Sequence, residues 1–440
     1  MVVKQSNQFI YGALTMLLLV AAGIGLYFFV SNLSRPTPAS PEEVKQATAV
    51  PTVAGQPEVK ETVAVSQPAI TPTVEVSQPL PGLISAGAMF RGNLEHTGTF
   101  DTPGPERGEL KWKFQTESGT YPSSWSSWSS PTVMNGIVYF GSLDNRLHAL
   151  DSETGQEKWN FQTGGPVDAA PAIANGVVYF GSWDKYLYAV DSETGQEKWK
   201  FQTEGKAWAS PVVAGGVVYF GSQGGYFYAV DGQTGQEKWR FKADGCISSS
   251  PAVADGVIYI GSGNYVDCGR NSGKHLYALD SATGQEKWQF EAGGTVESCP
   301  AVDEGVVYFG SSDSYLYAVD SQTGQEKWKF KTKRPINTSC PAVASGVVYI
   351  GSGDSYLYAV DSQTGQEKWK FKSGAEIWSS PAVAGEVVYF GSDDGQLYAV
   401  DSQTGQEKWK FNAGGSVSNS PTIADGVIYF VCQSVYYAVQ

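Results

Sequence analysis

Residues 168–202 read DAAPAIANGVVYFGSWDKYLYAVDSETGQEKWKFQ, and this stretch decides the fold. It divides into four short apolar runs separated by turn residues. AAPAIA leads to Asn175-Gly176, a pair that favours a type I′ hairpin because both positions accept positive φ. VVYFGS alternates β-branched and aromatic residues, as a strand does. A short turn at Trp183-Asp184-Lys185 leads to YLYAVD. Ser-Glu-Thr-Gly then turns the chain into QEKWKF. The pattern predicts a four-stranded antiparallel sheet, and no longer window has a helical period.

The unit repeats in both directions. TGQEKW occurs seven times, ending at Trp159, Trp199, Trp239, Trp288, Trp328, Trp369 and Trp409. A proline opens each first run, from Pro131 to Pro421, at spacings of 40 or 41 residues and once 49. A period near 40 with four strands per unit predicts a β-propeller. There are eight prolines of this kind, but the last unit stops at Gln440 without a fourth strand. GELKWKF at 108–114 supplies it, with Trp112 as the eighth tryptophan. The expectation is an all-β, eight-bladed propeller closed by strands from the two ends of residues 86–440. Closure removes the unpaired edges of an open sheet.

The string Ala149, Asp151, Thr154, Gly155, Trp159 recurs in every complete unit and reads as structural. Ala is small where blades crowd, Asp accepts from turn amides, Gly takes positive φ, and Trp packs between blades. Trp112, Trp159, Trp199, Trp239, Trp288, Trp328, Trp369 and Trp409 are therefore docking residues. Asp144, Asp184, Asp313, Asp354 and Asp394, which follow Gly-Ser, read as hairpin-turn formers.

Two segments precede the propeller. Residues 9–30, FIYGALTMLLLVAAGIGLYFFV, carry no charge and have aromatics at both ends. At ~1.5 Å per residue they could cross a bilayer core as one helix, behind a short tail, residues 1–8. A cleaved signal peptide would have an apolar core of ~7–15 residues and a small-residue site after it, so an uncleaved anchor is the expectation. Residues 31–85 are rich in Pro, Thr and Val and read as a disordered, semi-stiff tether.

Composition narrows function by exclusion. The chain has 440 residues, 30 Lys and Arg, and 44 Asp and Glu, for a net charge of −14. Residues 86–440 hold 26 and 39 of these, so −13 of that charge is on the propeller. Such a surface does not suit nucleic acid. Three histidines and five cysteines leave little room for a His-based metal site or a disulfide-dense scaffold.

The Ala-Asp-Thr-Gly-Trp string resembles the tryptophan-docking motif of the pyrroloquinoline-quinone-like (PQQ-like) propeller repeats. The lead-in MFRGNLEHTGTFDTPGP, residues 89–105, also resembles that family's opening segment. The resemblance covers about four-fifths of the chain and implies the fold, with a propeller outside the cytoplasm on a single-pass anchor. It leaves function open. The family includes quinoprotein alcohol dehydrogenases, the propeller subunit of the outer-membrane β-barrel assembly machinery, and sensor domains. Its dehydrogenases hold the quinone with adjacent cysteines, a stacking Trp and Ca²⁺; this chain has no adjacent cysteine pair. The expectation is a non-catalytic propeller with no cofactor, which binds a protein or glycan or scaffolds an envelope assembly. The alternatives are an alcohol or sugar dehydrogenase using PQQ with Ca²⁺, and a ligand-sensing domain of a signalling complex.

Departures from the repeat mark the candidate site. Three residues before the first-strand prolines stand Trp128, Asp168, Trp208, Ser248, Glu297, Thr338, Trp378 and Ser418. Around a ring they place indoles and carboxylates at the mouth of the central channel. There they either plug the axis or form platforms for sugars, peptides or cations. Tyr121, Trp125, Trp183 and Tyr265 lie in loops of the same face. The insert GNYVDCGRNSGKH, residues 263–275, carries Cys268, and Cys246 lies in the loop entering the same blade, so a Cys246–Cys268 disulfide is expected. Cys299 and Cys340 occupy equivalent places before prolines and read as buried small residues or as a second bridge. Cys432 reads as a core thiol.

Overall fold

The computed structural model describes residues 88–117, 129–263 and 273–440, all within the compact unit Ser77–Gln440. The expected membrane helix and tether lie outside the described residues, as do Tyr121, Trp125, Trp128, Tyr265 and Cys268. Among the described residues no helix is long and apolar enough to cross a membrane.

Eight antiparallel sheets form the propeller. Blade 2 shows the plan: Ala172–Ala174 lies innermost, followed outwards by Val177–Gly181, Tyr186–Asp191 and Glu197–Gln202. The two middle strands are almost wholly buried, and the outermost alternates Glu and Lys with the docking Trp and a Phe. Those outer charges protect the blade's solvent-facing edge. The apolar cores lie between neighbouring blades. Tyr179, Leu187 and Ala189 of blade 2, for example, pack on Val218, Phe220, Tyr228 and Val230 of blade 3.

Closure is as the repeat count predicts. Leu110–Gln115 pairs with Val435–Val439 and completes the sheet with Val427–Cys432 and Thr422–Ala424. The seam is packed like the rest: Tyr436 stacks on Phe140 of blade 1 at 3.5 Å.

Seven of the eight docking indoles donate their Nε1–H to a turn carbonyl of the next blade. Trp159 reaches Ser192 at 3.1 Å, and Trp112 crosses the seam to Ser152 at 2.8 Å. Asp191 Oδ1 accepts from the Thr194 amide and hydroxyl, both at 3.0 Å. Gly195 has φ 70°, and a Cβ there would meet Trp159 at 2.7 Å, so the indole lies directly on the glycine. Blade 8 has no such turn, and Trp409 instead donates to Pro105 of the lead-in at 3.3 Å.

The lead-in fills the axis. Ile173, Val253, Val302, Val343 and Val383 of the innermost strands donate their amides, each at 2.8 Å, to carbonyls between Ala88 and Gly98. Thr99–Phe100 then runs parallel to Ala382–Ala384. Small residues on the inner wall (Ala172, Ala252, Ala301, Ala342, Ala382) leave room for it. Arg91 and His96 are consequently buried, 4% and 0% exposed. Arg91 Nη1 and Nη2 donate to the carbonyls of Pro381 and Pro341, both at 2.5 Å.

Candidate functional site at the channel mouth

Every described residue three places before a first-strand proline is half-buried, while the two that follow it are buried. Those inner positions form belts around the ring. Ser298 Oγ donates to Ser339 O at 2.8 Å, Ser339 Oγ to Ser379 O at 3.1 Å, and the Ser210 amide to Ser250 Oγ at 3.0 Å. The belts hold the half-buried ring rigidly above the lead-in. Because the lead-in bonds the residue two beyond five of the eight prolines, it forms a floor beneath the mouth. Among the described residues the axis holds the lead-in backbone with Arg91 and His96.

The expected site residues divide into separate groups. Trp183 and Trp208 meet edge to face at 5.6 Å. Lys206 Nζ sits 3.9 Å from the Trp183 ring centroid and 5.0 Å from that of Trp208. The place a ligand cation would take on these two rings is therefore held by the protein's own ammonium, which leaves a cation-topped aromatic ledge. Trp378 stands across the ring and lies on the backbone of Gly353, where a Cβ would fall 2.8 Å from the indole. Glu297 accepts from Thr295 Oγ1 at 3.1 Å. Asp168 and Glu297 stand at the entrances of blades 2 and 5. Ser418 and Ser416 both donate to Asp393.

Lys206 is missing from the sequence expectation although it lies two residues before Trp208, on the same side of an extended segment. His148 is missing too. It replaces the tyrosine that bonds the turn aspartate elsewhere, as Tyr188 bonds Asp184 Oδ2 at 2.7 Å. His148 is 3% exposed and lies between Asp144, at 2.9 Å, and Glu157, at 2.7 Å. Burial opposes its charge, but the hydrogen bonds and negative charge of Asp144 and Glu157 prevail and raise its pKa. Burial, with Arg91 nearby, instead drives His96 down to about 3.

Cys246 is disulfide-bonded, and its expected partner, Cys268, lies outside the described residues. Cys299, Cys340 and Cys432 are free and buried. No three His, Cys, Asp or Glu side chains among the described residues group as metal ligands.

Three overlapping segments, residues 102–265, 239–372 and 353–438, match the family described as outer membrane protein assembly factor BamB, and the chain belongs to that family. No curated protein sequence matches it. Among solved structures, quinohemoprotein alcohol dehydrogenase from Comamonas testosteroni is similar with a TM-score of 0.69 at 18% identity, over 80% of this chain and 80% of its own. BamB from Moraxella catarrhalis gives 0.63 at 17%, over 76% and 99%. The computationally designed Ika8 protein gives 0.62 at 19%, over 71% and 96%. At these identities the likeness carries the fold alone.

Proposed function

We propose that this protein is a non-catalytic, membrane-anchored propeller outside the cytoplasm, and that it binds a protein or glycan partner of the cell envelope at the channel mouth. The observation that carries this reading is the half-buried aromatic rim above the lead-in's floor. A rigid rim presents the Trp183–Trp208 ledge and Trp378, while the lead-in blocks passage along the axis. Half-buried indoles beside an ammonium suit sugar rings and partner side chains alike. Membership of the BamB family supports a role in envelope assembly. The anchor over residues 9–30 and the tether would set the reach of the disc. The Cys246–Cys268 bond belongs to the same reading, since it needs an oxidising compartment.

Crosslinking with mass spectrometry in native membranes should recover a partner attached through loops of this face. The Trp208→Ala, Trp378→Ala double variant should lose that partner while keeping its melting temperature. Unchanged crosslinking would remove the mouth as the site. The dehydrogenase reading has its own test. Quinone added with Ca²⁺ should fail to co-elute with the protein, and dye-linked alcohol oxidation should be absent.

A further inference from the structure

We propose that Cys299 and Cys340 form a redox-convertible pair, a modification site in the channel wall that a small-molecule disulfide can oxidise to a bridge between blades 5 and 6. The position before each first-strand proline forms an interblade belt. The Ala170 amide donates to Ser210 Oγ at 3.0 Å, Cys340 to Ser380 Oγ at 2.9 Å, and Ser380 to Ser420 Oγ at 3.2 Å. Cysteine replaces serine or alanine at only two of the eight positions, and these are neighbours. The Cys299 amide donates to Cys340 Sγ at 3.1 Å, across the boundary between blades 5 and 6.

Hydrogen bonding alone does not account for these residues, because a hydroxyl would serve the belt better than a thiol. Two cysteines whose backbone and sulfur meet across adjacent blades are placed for an interblade disulfide to join. Arg91 lies beside them. Burial would raise both thiols, but for Cys340 the bond from Cys299 and the nearby guanidinium outweigh it and favour the thiolate.

The chemistry balances as thiol–disulfide exchange. The Cys340 thiolate attacks oxidised glutathione, forming a mixed disulfide and releasing one glutathione thiolate. Cys299 loses its proton and attacks the protein sulfur, which closes the bridge and releases the second. Both cysteines are buried, 6% and 2% exposed, so exchange requires the lead-in to lift first.

The test uses the full-length protein in glutathione buffers of graded poise. It is then quenched by acid and alkylation and mapped by mass spectrometry without reduction. Expected is a linked peptide pair holding Cys299 and Cys340. It should be two hydrogens lighter than the separate peptides, grow with oxidised glutathione and vanish on reduction. Gly98→Ala, which loosens the lead-in while keeping the Arg91 guanidinium, should speed its formation several-fold. Both thiols remaining alkylatable at the most oxidising poise would overturn the proposal, as would glutathione stopping on one cysteine. The mapping is made on the wild type, so it does not depend on a cysteine variant folding.

Discussion

His148 and His96 are both buried, and their surroundings give stability opposite pH dependences. His148 has a raised pKa in the fold. Its contribution is complete below its unfolded pKa of about 6.5 and is lost as pH rises through the folded value. His96 has a lowered pKa, about 3, so it folds neutral. Its penalty grows as pH falls from the unfolded value of about 6.5 towards 3, at up to roughly 1.4 kcal/mol per pH unit. Melting curves at graded pH separate the two. His148→Tyr restores the hydrogen bond that Tyr188 makes to Asp184 and should flatten the decline above neutrality. His96→Leu removes a ring with neither nitrogen bonded, and it should raise the melting temperature most at acid pH. A curve for either variant that parallels the wild type would contradict its assignment.

At the scale of the element, the docking turn is the unit that joins blades. Gly195→Ala would force a Cβ into positive φ and against Trp159, at a cost of about 2–4 kcal/mol, read in chemical denaturation. Gly98 does the same service in the lead-in. A Cβ there would fall 2.3 Å from Arg91, so Gly98→Ala should loosen the floor and speed thiol labelling of Cys340. The turn was legible residue by residue, because each type in it has one physical task. The pairing at the mouth was legible in principle. Trp183 with Trp208, Gly353 with Trp378 and Asp393 with Ser418 are each 25 residues apart. One blade's turn after Gly-Ser meets the next blade's entrance, and repeat periodicity read within a single unit does not reveal a contact between units.

At the scale of the molecule, the seam carries the fold's integrity. Truncation after Val431 removes Val435–Val439, unpairs Leu110–Gln115 and strips Tyr436 from Phe140. The shortened chain should lose its single cooperative transition at the wild-type temperature, monitored by tryptophan fluorescence. An unchanged transition would contradict the closed ring. The sequence by itself determined the number of blades, the order of strands, the seam and the tasks of the docking residues, because each follows from local periodicity and turn chemistry repeated eight times. Only the tertiary structure decided that the lead-in floors the channel, that Lys206 caps two indoles, and that Cys299 touches Cys340. Those contacts join segments from different blades or from outside the repeat. Their partners are chosen by the space left at the axis, which small inner-wall residues permit but do not specify.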